Sequence, residues 1–140
     1  VVEDVVDFYS EQWRQSDIEI QTNIPEDSWP EIEIDEDQIR RAFLNIAQNA
    51  VEALEASDEP RILTITVSRE ESEQVIAVED TGPGIPDEIR DNLFEAFTTG
   101  KSSGSGLGLA MARQIAVDHG GRIEVETSSK GSRFEIYLTE

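Results

Sequence analysis

Apolar residues recur with helical spacing between Asp35 and Glu59, where Ile39, Phe43, Ile46, Ala50, Ala53 and Leu54 fall on one stripe. Asp35 followed by Gln38 supplies an N-cap and a capping box at the start of that helix. A shorter helix opens the chain, with Val2, Val5, Val6 and Tyr9 on one face and Glu3, Asp4 and Asp7 on the other. Ile18, Ile20, Thr22 and Ile24 alternate with polar residues, which predicts a strand. Pro25 to Pro30 reads as a loop, and Ile32 and Ile34 predict a second short strand. After the long helix comes a hairpin. Ile62, Thr64, Thr66 and Ser68 face one way and Leu63, Ile65 and Val67 the other, followed by a turn at Glu70–Glu73 and a partner strand over Gln74–Glu79.

Asp80 to Pro86 holds two glycines and two prolines in seven residues and predicts a loop. A short helix is predicted over Asp87–Asn92, then the compact apolar run Leu93–Phe97 and a Gly/Ser-rich loop from Thr98 to Gly106. A second firm helix over Leu107–Val117 offers Leu109, Ala112, Arg113 and Ala116 for packing, and His119-Gly120-Gly121 ends it. Two alternating strands close the chain, one with Ile123, Val125 and Thr127, the other with Phe134, Ile136 and Leu138. This order lacks regular βαβ repetition, so a doubly wound dinucleotide fold is not expected. The expected class is α+β: a mixed, mostly antiparallel sheet with helices on one face.

The 140 residues suit one domain with a real core. There is no cysteine and one histidine, which excludes a disulfide framework and a thiolate zinc site. No apolar run approaches the roughly 18 residues of a membrane span, and no signal peptide is visible. The chain begins with Val1, so a piece of a longer protein is expected. Asp and Glu number 31 against 9 Arg and 2 Lys, a formal net charge of -20. That charge argues against nucleic acid and against direct contact with an anionic membrane. An acidic surface so poor in lysine resembles proteins of salt-loving microorganisms.

Four polar constellations bear on chemistry. Asn45 and Asn49 stand one turn apart beside the apolar stripe, with Glu52 on the same flank. Asparagine competes with the helix backbone for hydrogen bonds, so the pair reads either as tolerated surface polarity or as two amides aimed at one ligand. Asp80-x-Gly82-x-Gly84 is either an ordinary Asp-Gly turn or a carboxylate followed by backbone that approaches a flat ligand. Gly104-Ser105-Gly106-Leu107-Gly108-Leu109 opens a helix and can form an anion site, although it lacks a P-loop ending. Lys101, after Thr98-Thr99-Gly100, is one of only two lysines and reads either as a solvated loop lysine or as one that reaches a terminal phosphate.

In combination these stretches resemble the ATP-binding catalytic domain of sensor histidine kinases. Asn45 to Ala50 resembles the family's N box, Asp80 to Ile85 its G1 box, Leu93 to Thr99 its F box and Gly104 to Leu109 its G2 box. The tail from His119 through Phe134 also follows the family, so the resemblance spans nearly the whole chain as one catalytic domain. The wider superfamily includes gyrase, Hsp90 and MutL ATPases, and its fold is a two-layer α/β sandwich, the Bergerat fold.

The resemblance implies ATP and Mg²⁺ as ligands, with roles for individual residues. Asn49 would hold Mg²⁺, and Asn45 would lie close to the phosphates or to the waters of the ion. Asp80 would receive the adenine amine with help from Ser132, and Gly82, Gly84 and Ile85 would pass along the nucleotide. Gly104, Ser105, Gly106, Leu107, Gly108 and Leu109 would cradle phosphates. Phe97, Thr98, Thr99 and Lys101 would belong to a short ATP lid of the nitrogen-regulatory type, with Phe94 and Phe97 anchoring it. His119 reads as a helix cap.

Two departures stand out. Glu52 occupies a position where many members carry a basic residue. No phosphoacceptor histidine is visible, so the resemblance implies partner domains: a helical dimerisation and phosphoacceptor domain of the same kinase and, indirectly, a response regulator, in the cytoplasm. The superfamily's hydrolases carry a general-base Glu where this chain has Asn45, which favours kinase over ATPase. A free-standing anti-sigma-factor serine kinase, a nucleotide-binding module without catalytic output and a domain kept for dimerisation remain as alternatives.

Overall fold

The computed structural model describes residues 2–25, 29–30, 32–57, 60–86, 94 and 108–140. Helix α1 spans Val2–Arg14, α2 spans Glu36–Glu55 and α3 spans Gly108–Asp118. The strands are β1 (Glu19–Asn23), β2 (Ile62–Glu70), β3 (Glu73–Asp80), β4 (Arg122–Ser128) and β5 (Gly131–Thr139). They form one sheet in the order β1-β2-β3-β5-β4, with β1 parallel to β2 and every other pair antiparallel. This is the expected α+β class. α2 is the crossover between the parallel strands, the single βαβ unit in the described chain.

Alternation assigns the two faces of the sheet. On the inner face two apolar rungs run across four strands: Ile65-Val78-Phe134-Val125 and Val67-Ile76-Ile136-Ile123. These residues join one core with Ile39, Phe43, Ile46, Ala50 and Leu54 of α2 and Ala112, Ile115 and Ala116 of α3. The outer face carries arginine and glutamate. Arg122 sits 3.9 Å from the centre of the Tyr137 ring and bonds Glu73 at 2.6 Å and Glu124 at 3.2 Å. Arg133 pairs with Glu79 at 3.4 Å and Glu135 at 3.7 Å. The Arg122 guanidinium thus lies over the Tyr137 ring on this outer face.

Several details differ from the pattern-based expectation. Ile32 and Ile34 are half-buried against the core but pair with no strand. Alternation records one-sided burial, and an extended segment packed on a core gives the same signal. Ile34 precedes the cap Asp35 and Ile39 is the fourth helical residue, the two positions of a hydrophobic staple. The capping box is half-formed: Asp35 accepts from the Gln38 N–H at 3.2 Å, but the Asp35 N–H donates to His119 Nε2 at 3.0 Å. His119 Nδ1 lies 2.8 Å from the Ile115 carbonyl oxygen, which places the ring proton there. His119 therefore ties the end of α3 to the start of α2 and reaches beyond its own helix. On α3, Arg113 is exposed and Ile115 takes the packing position expected of it. The opening helix is longer than its valines suggested, because Trp13 is buried at its far end, where Tyr9 stacks on it. The helix expected over Asp87–Asn92 lies outside the described residues.

Arg61 joins the other ends of the helices. Its guanidinium donates to the Ser16 carbonyl at 2.7 Å, to Glu55 at 3.0 Å and to Ser57 at 3.4 Å, closing the C-termini of α1 and α2 together. Hydrogen bonds from a charged donor contribute roughly 1.5–3 kcal/mol. Arg61→Met, which keeps the stem, is expected to lower the unfolding free energy by about that amount in urea titrations. An unchanged midpoint would show that the clamp contributes nothing.

Candidate functional site

A third inner rung continues the two apolar ones but is polar. Leu63 of β2 pairs with Asp80 of β3, Asp80 with Ser132 of β5 and Ser132 with Thr127 of β4. Asp80 is the last residue of β3, and so belongs to the strand rather than to the loop the sequence assigned it. Asp80 and Ser132 are only 4% and 6% exposed. A carboxylate buried to that degree is stable only if hydrogen-bonded. The Gly82 N–H donates to Asp80 Oδ1 at 2.9 Å, which turns the chain back over the rung.

The loop that follows is held at both ends. Thr81 Oγ1 accepts from the Ile62 N–H at 3.0 Å and donates to the Pro60 carbonyl at 2.5 Å. The Ile85 N–H donates to Thr127 Oγ1 at 2.9 Å, and Thr127 Oγ1 lies 2.8 Å from Ser132 Oγ. Gly84 has φ +83 and backs onto the Ser128 carbonyl so closely that a Cβ would run into it. A side chain on Gly82 would fall 3.0 Å from Asp80 Oδ1 and 3.2 Å from the Ala53 carbonyl of α2. The loop therefore lies between the polar rung and the helix.

Along α2, Asn45 and Asn49 are half-buried on the flank of the core stripe and Glu52 is exposed. Gly108, the first residue of α3, stands 3.8 Å from the Asn45 side chain, measured from the position of its absent Cβ. Leu109 packs against the core. From Gly108 at Asn45 to Gly82 at Ala53, the edge of α2 runs two turns, about 12 Å at 1.5 Å per residue. Gly82 thus meets α2 at Ala53 and Gly108 meets it at Asn45, with Asn49 one turn from each along the helix, while Asp80, Gly84, Ile85 and Ser132 are linked to one another through the loop and the β4–β5 hairpin. Phe97, Thr98, Thr99, Lys101, Gly104, Ser105, Gly106 and Leu107 lie outside the described residues. Phe94 meets Phe134 edge-on, with ring centres 6.3 Å apart, and packs against the core.

The sequence reading gave Thr127 only as a strand residue and did not place Thr81 in the site at all. The signal for Thr127 was its parity: it follows Ile123 and Val125 on the inward side of β4, where a polar residue needs a partner. A separate cavity of about 360 Å³ lies between α1 and β1, lined by Glu3, Val6, Asp7, Thr22, Asn23 and Ile24. Its two carboxylates repel anions, so it is no rival site for an anionic ligand. No helix among the described residues is long and apolar enough to cross a membrane.

Residues 34–140 match the family model described as histidine kinase-, DNA gyrase B-, and HSP90-like ATPase. The chain is 37% identical over 123 residues to the sensory histidine kinase/phosphatase NtrB of Azospirillum brasilense, covering 79% of this chain and 31% of that protein. The chain thus spans less than a third of that relative's length. Among solved structures, the nucleotide-free catalytic domain of histidine kinase ThkA is similar with a TM-score of 0.84 at 29% identity, covering 99% of this chain and 89% of that one. Full-length ShkA in complex with AMPPNP gives a TM-score of 0.79 at 31% identity, covering 99% of this chain and 29% of that one.

The loop geometry sets a comparison between two glycines. Gly84→Ala meets both a left-handed backbone and the Ser128 carbonyl, whereas Gly120, with φ +75, has open space around it. Gly120→Ala should cost only the backbone term of about 1–2 kcal/mol. Gly84→Ala should cost clearly more in urea unfolding, and equal costs would show that the loop does not press on β4.

Proposed function

The chain belongs to the histidine kinase-, DNA gyrase B- and HSP90-like ATPase family, and on that basis we propose that it binds Mg-ATP and presents the γ-phosphate to a histidine on a separate dimerisation and phosphoacceptor domain. The observation that carries this is the buried Asp80–Ser132 pair at the end of the inner sheet face, with the Gly82 loop against Ala53 of α2 and Gly108 against Asn45 of the same helix. The Asp80 end offers a buried acceptor carboxylate beside a flat backbone loop, suited to a purine with an exocyclic amine. The Asn45 end offers amides beside a helix start, suited to phosphates. The complex of the related ShkA with AMPPNP supports the same ligand class.

In this reading Asp80 accepts from the adenine amine, assisted by Ser132, and Gly82, Gly84 and Ile85 line the base. Gly104, Ser105, Gly106, Gly108 and the N–H groups around Leu107 hold phosphates, with Lys101 and the lid residues Phe97, Thr98 and Thr99 closing over them. Asn49, supported by Asn45, would hold Mg²⁺, which when bound neutralises phosphate charge. An amide oxygen such as that of Asn49 is a suitable oxygen ligand for an ion shared with the nucleotide phosphates. The acceptor histidine nitrogen forms the new bond to phosphorus as the bond to ADP breaks. This domain supplies position and charge stabilisation. Asn45 stands where a general base would activate water, which favours transfer over hydrolysis. The phosphohistidine would then supply a response regulator.

Calorimetry tests these assignments. Asn49→Ala should weaken ATP binding far more with Mg²⁺ present than with the metal chelated, and an equal loss in both would remove Asn49 as the metal residue. Asp80→Asn should cost roughly 1.5–3 kcal/mol in ATP affinity and narrow the preference over GTP. Unchanged ATP binding would exclude the adenine role.

Salt adaptation is a second proposal, motivated by the net charge of -20. Self-repulsion at that charge is screened as the Debye length falls from about 10 Å at 0.1 M to about 3 Å at 1 M salt. Salt also weakens the outer-face ion pairs, but exposed pairs contribute only about 0–1 kcal/mol each. The melting temperature is therefore expected to rise from 0.1 to about 3 M KCl, with ATP affinity steady or rising. A flat or falling melting temperature would defeat this proposal and leave the kinase reading untouched.

A further inference from the structure

We infer that Thr127 is the positioning residue of the site: one hydroxyl fixes the nucleotide loop and sets the direction of the Ser132 proton. The inference rests on the ATP reading above only for its effect on affinity. The hydrogen bonds themselves do not depend on that reading.

Proton accounting carries it. A threonine hydroxyl has one proton and two lone pairs. One lone pair is taken by the Ile85 N–H at 2.9 Å. The proton has two acceptors in reach: Ser132 Oγ at 2.8 Å and the Gly131 carbonyl at 3.4 Å. The first is an ordinary O–H···O distance, whereas the second lies beyond the normal range. We assign the Thr127 proton to Ser132 as the shorter of the two contacts; the reverse arrangement, in which Ser132 donates to the second Thr127 lone pair and Thr127 to the Gly131 carbonyl, predicts additive losses with Ser132→Ala. Ser132 Oγ is then an acceptor towards β4, and its own proton is left for the other side of the rung, where the Asp80 carboxylate and the base position lie. The same threonine oxygen pins the loop end opposite to the one that Asp80 pins through the Gly82 N–H.

This position is specific to the hydroxyl. Thr127 is the inward-facing residue at the end of β4, and its methyl group can be kept while the oxygen is removed. Thr127→Val does this, and Thr127→Ser keeps the oxygen while removing the methyl.

Three measurements on the intact chain test the inference. Without nucleotide, amide exchange at Ile85 should speed at least about tenfold in Thr127→Val and stay near wild type in Thr127→Ser. ATP affinity should fall about tenfold in Thr127→Val and recover in Thr127→Ser. In a cycle with Ser132→Ala, the double variant should lose no more affinity than the worse single variant, because both remove the same directed proton. Slow Ile85 exchange in Thr127→Val would overturn the loop role. Wild-type ATP affinity in that variant, or additive losses with Ser132→Ala, would overturn the proton role. If the wild-type chain bound no ATP, the nucleotide reading would fail, and the Ile85 exchange alone would still decide whether Thr127 holds the loop. Equal affinity loss in Thr127→Val and Thr127→Ser would reduce Thr127 to packing and reject the inference.

Discussion

A buried carboxylate at the end of an apolar sheet face constrains everything near it. Removing such a group from water costs several kcal/mol unless hydrogen bonds replace the lost solvent. Asp80 obtains one of these from the Gly82 N–H, which obliges the chain to reverse directly after β3. That reversal brings the next residues under α2 and over the β4–β5 turn, where only a residue without a side chain fits at Gly84. Ser132 and Thr127 complete the rung, so the polar end of the sheet is closed by its own side chains and by the loop it shapes. The site is thus the place where the apolar ladder stops, and the two rungs beneath it hold it in register.

Most of the fold was legible because burial here is one-sided. Alternation in β2, β4 and β5 and the stripe on α2 follow from a single core between sheet and helices. What stayed hidden depends on contacts distant in sequence. Nothing near Asp35 shows that its N–H bonds to His119, and nothing near Arg61 shows that it closes two helix ends. Ile32 and Ile34 misled because one-sided burial does not require a strand partner. In the candidate site, Asn45, Asn49, Asp80 and Ser132 were named from the motifs they resemble; the register pairs Asp80 with Ser132, and Asn45 and Asn49 lie on the helix that the Gly82 loop touches. Thr127 was not, since its polarity gains meaning only once the register with Ser132 is known.

The two faces of the sheet use different chemistry for the same purpose. The inner face excludes water by packing, whereas on the outer face Val75, Ala77 and Tyr137 are buried outside the main core cluster, with Arg122 over the Tyr137 ring and Arg133 nearby in a set of ion pairs. Glutamates hold the guanidinium heads in place, with Glu73, Glu124, Glu79 and Glu135 as partners. Two of the nine arginines in a very acidic chain are committed to this face. The face thereby keeps a shielded apolar floor beneath a wet, charged surface.

The strand order has a consequence for how the chain assembles. The β2–β3 and β4–β5 hairpins join neighbours in sequence and close small loops, so each can form early and independently. The β3–β5 pairing joins residues on either side of the whole segment that carries α3, and closing that larger loop is the slower event. Asp80 belongs to the first hairpin, and Ser132 and Thr127 to the second. The rung does not exist in either half. It appears when the two halves dock, so any ligand held there binds only molecules in which the β3–β5 pairing has formed and withdraws population from those alone.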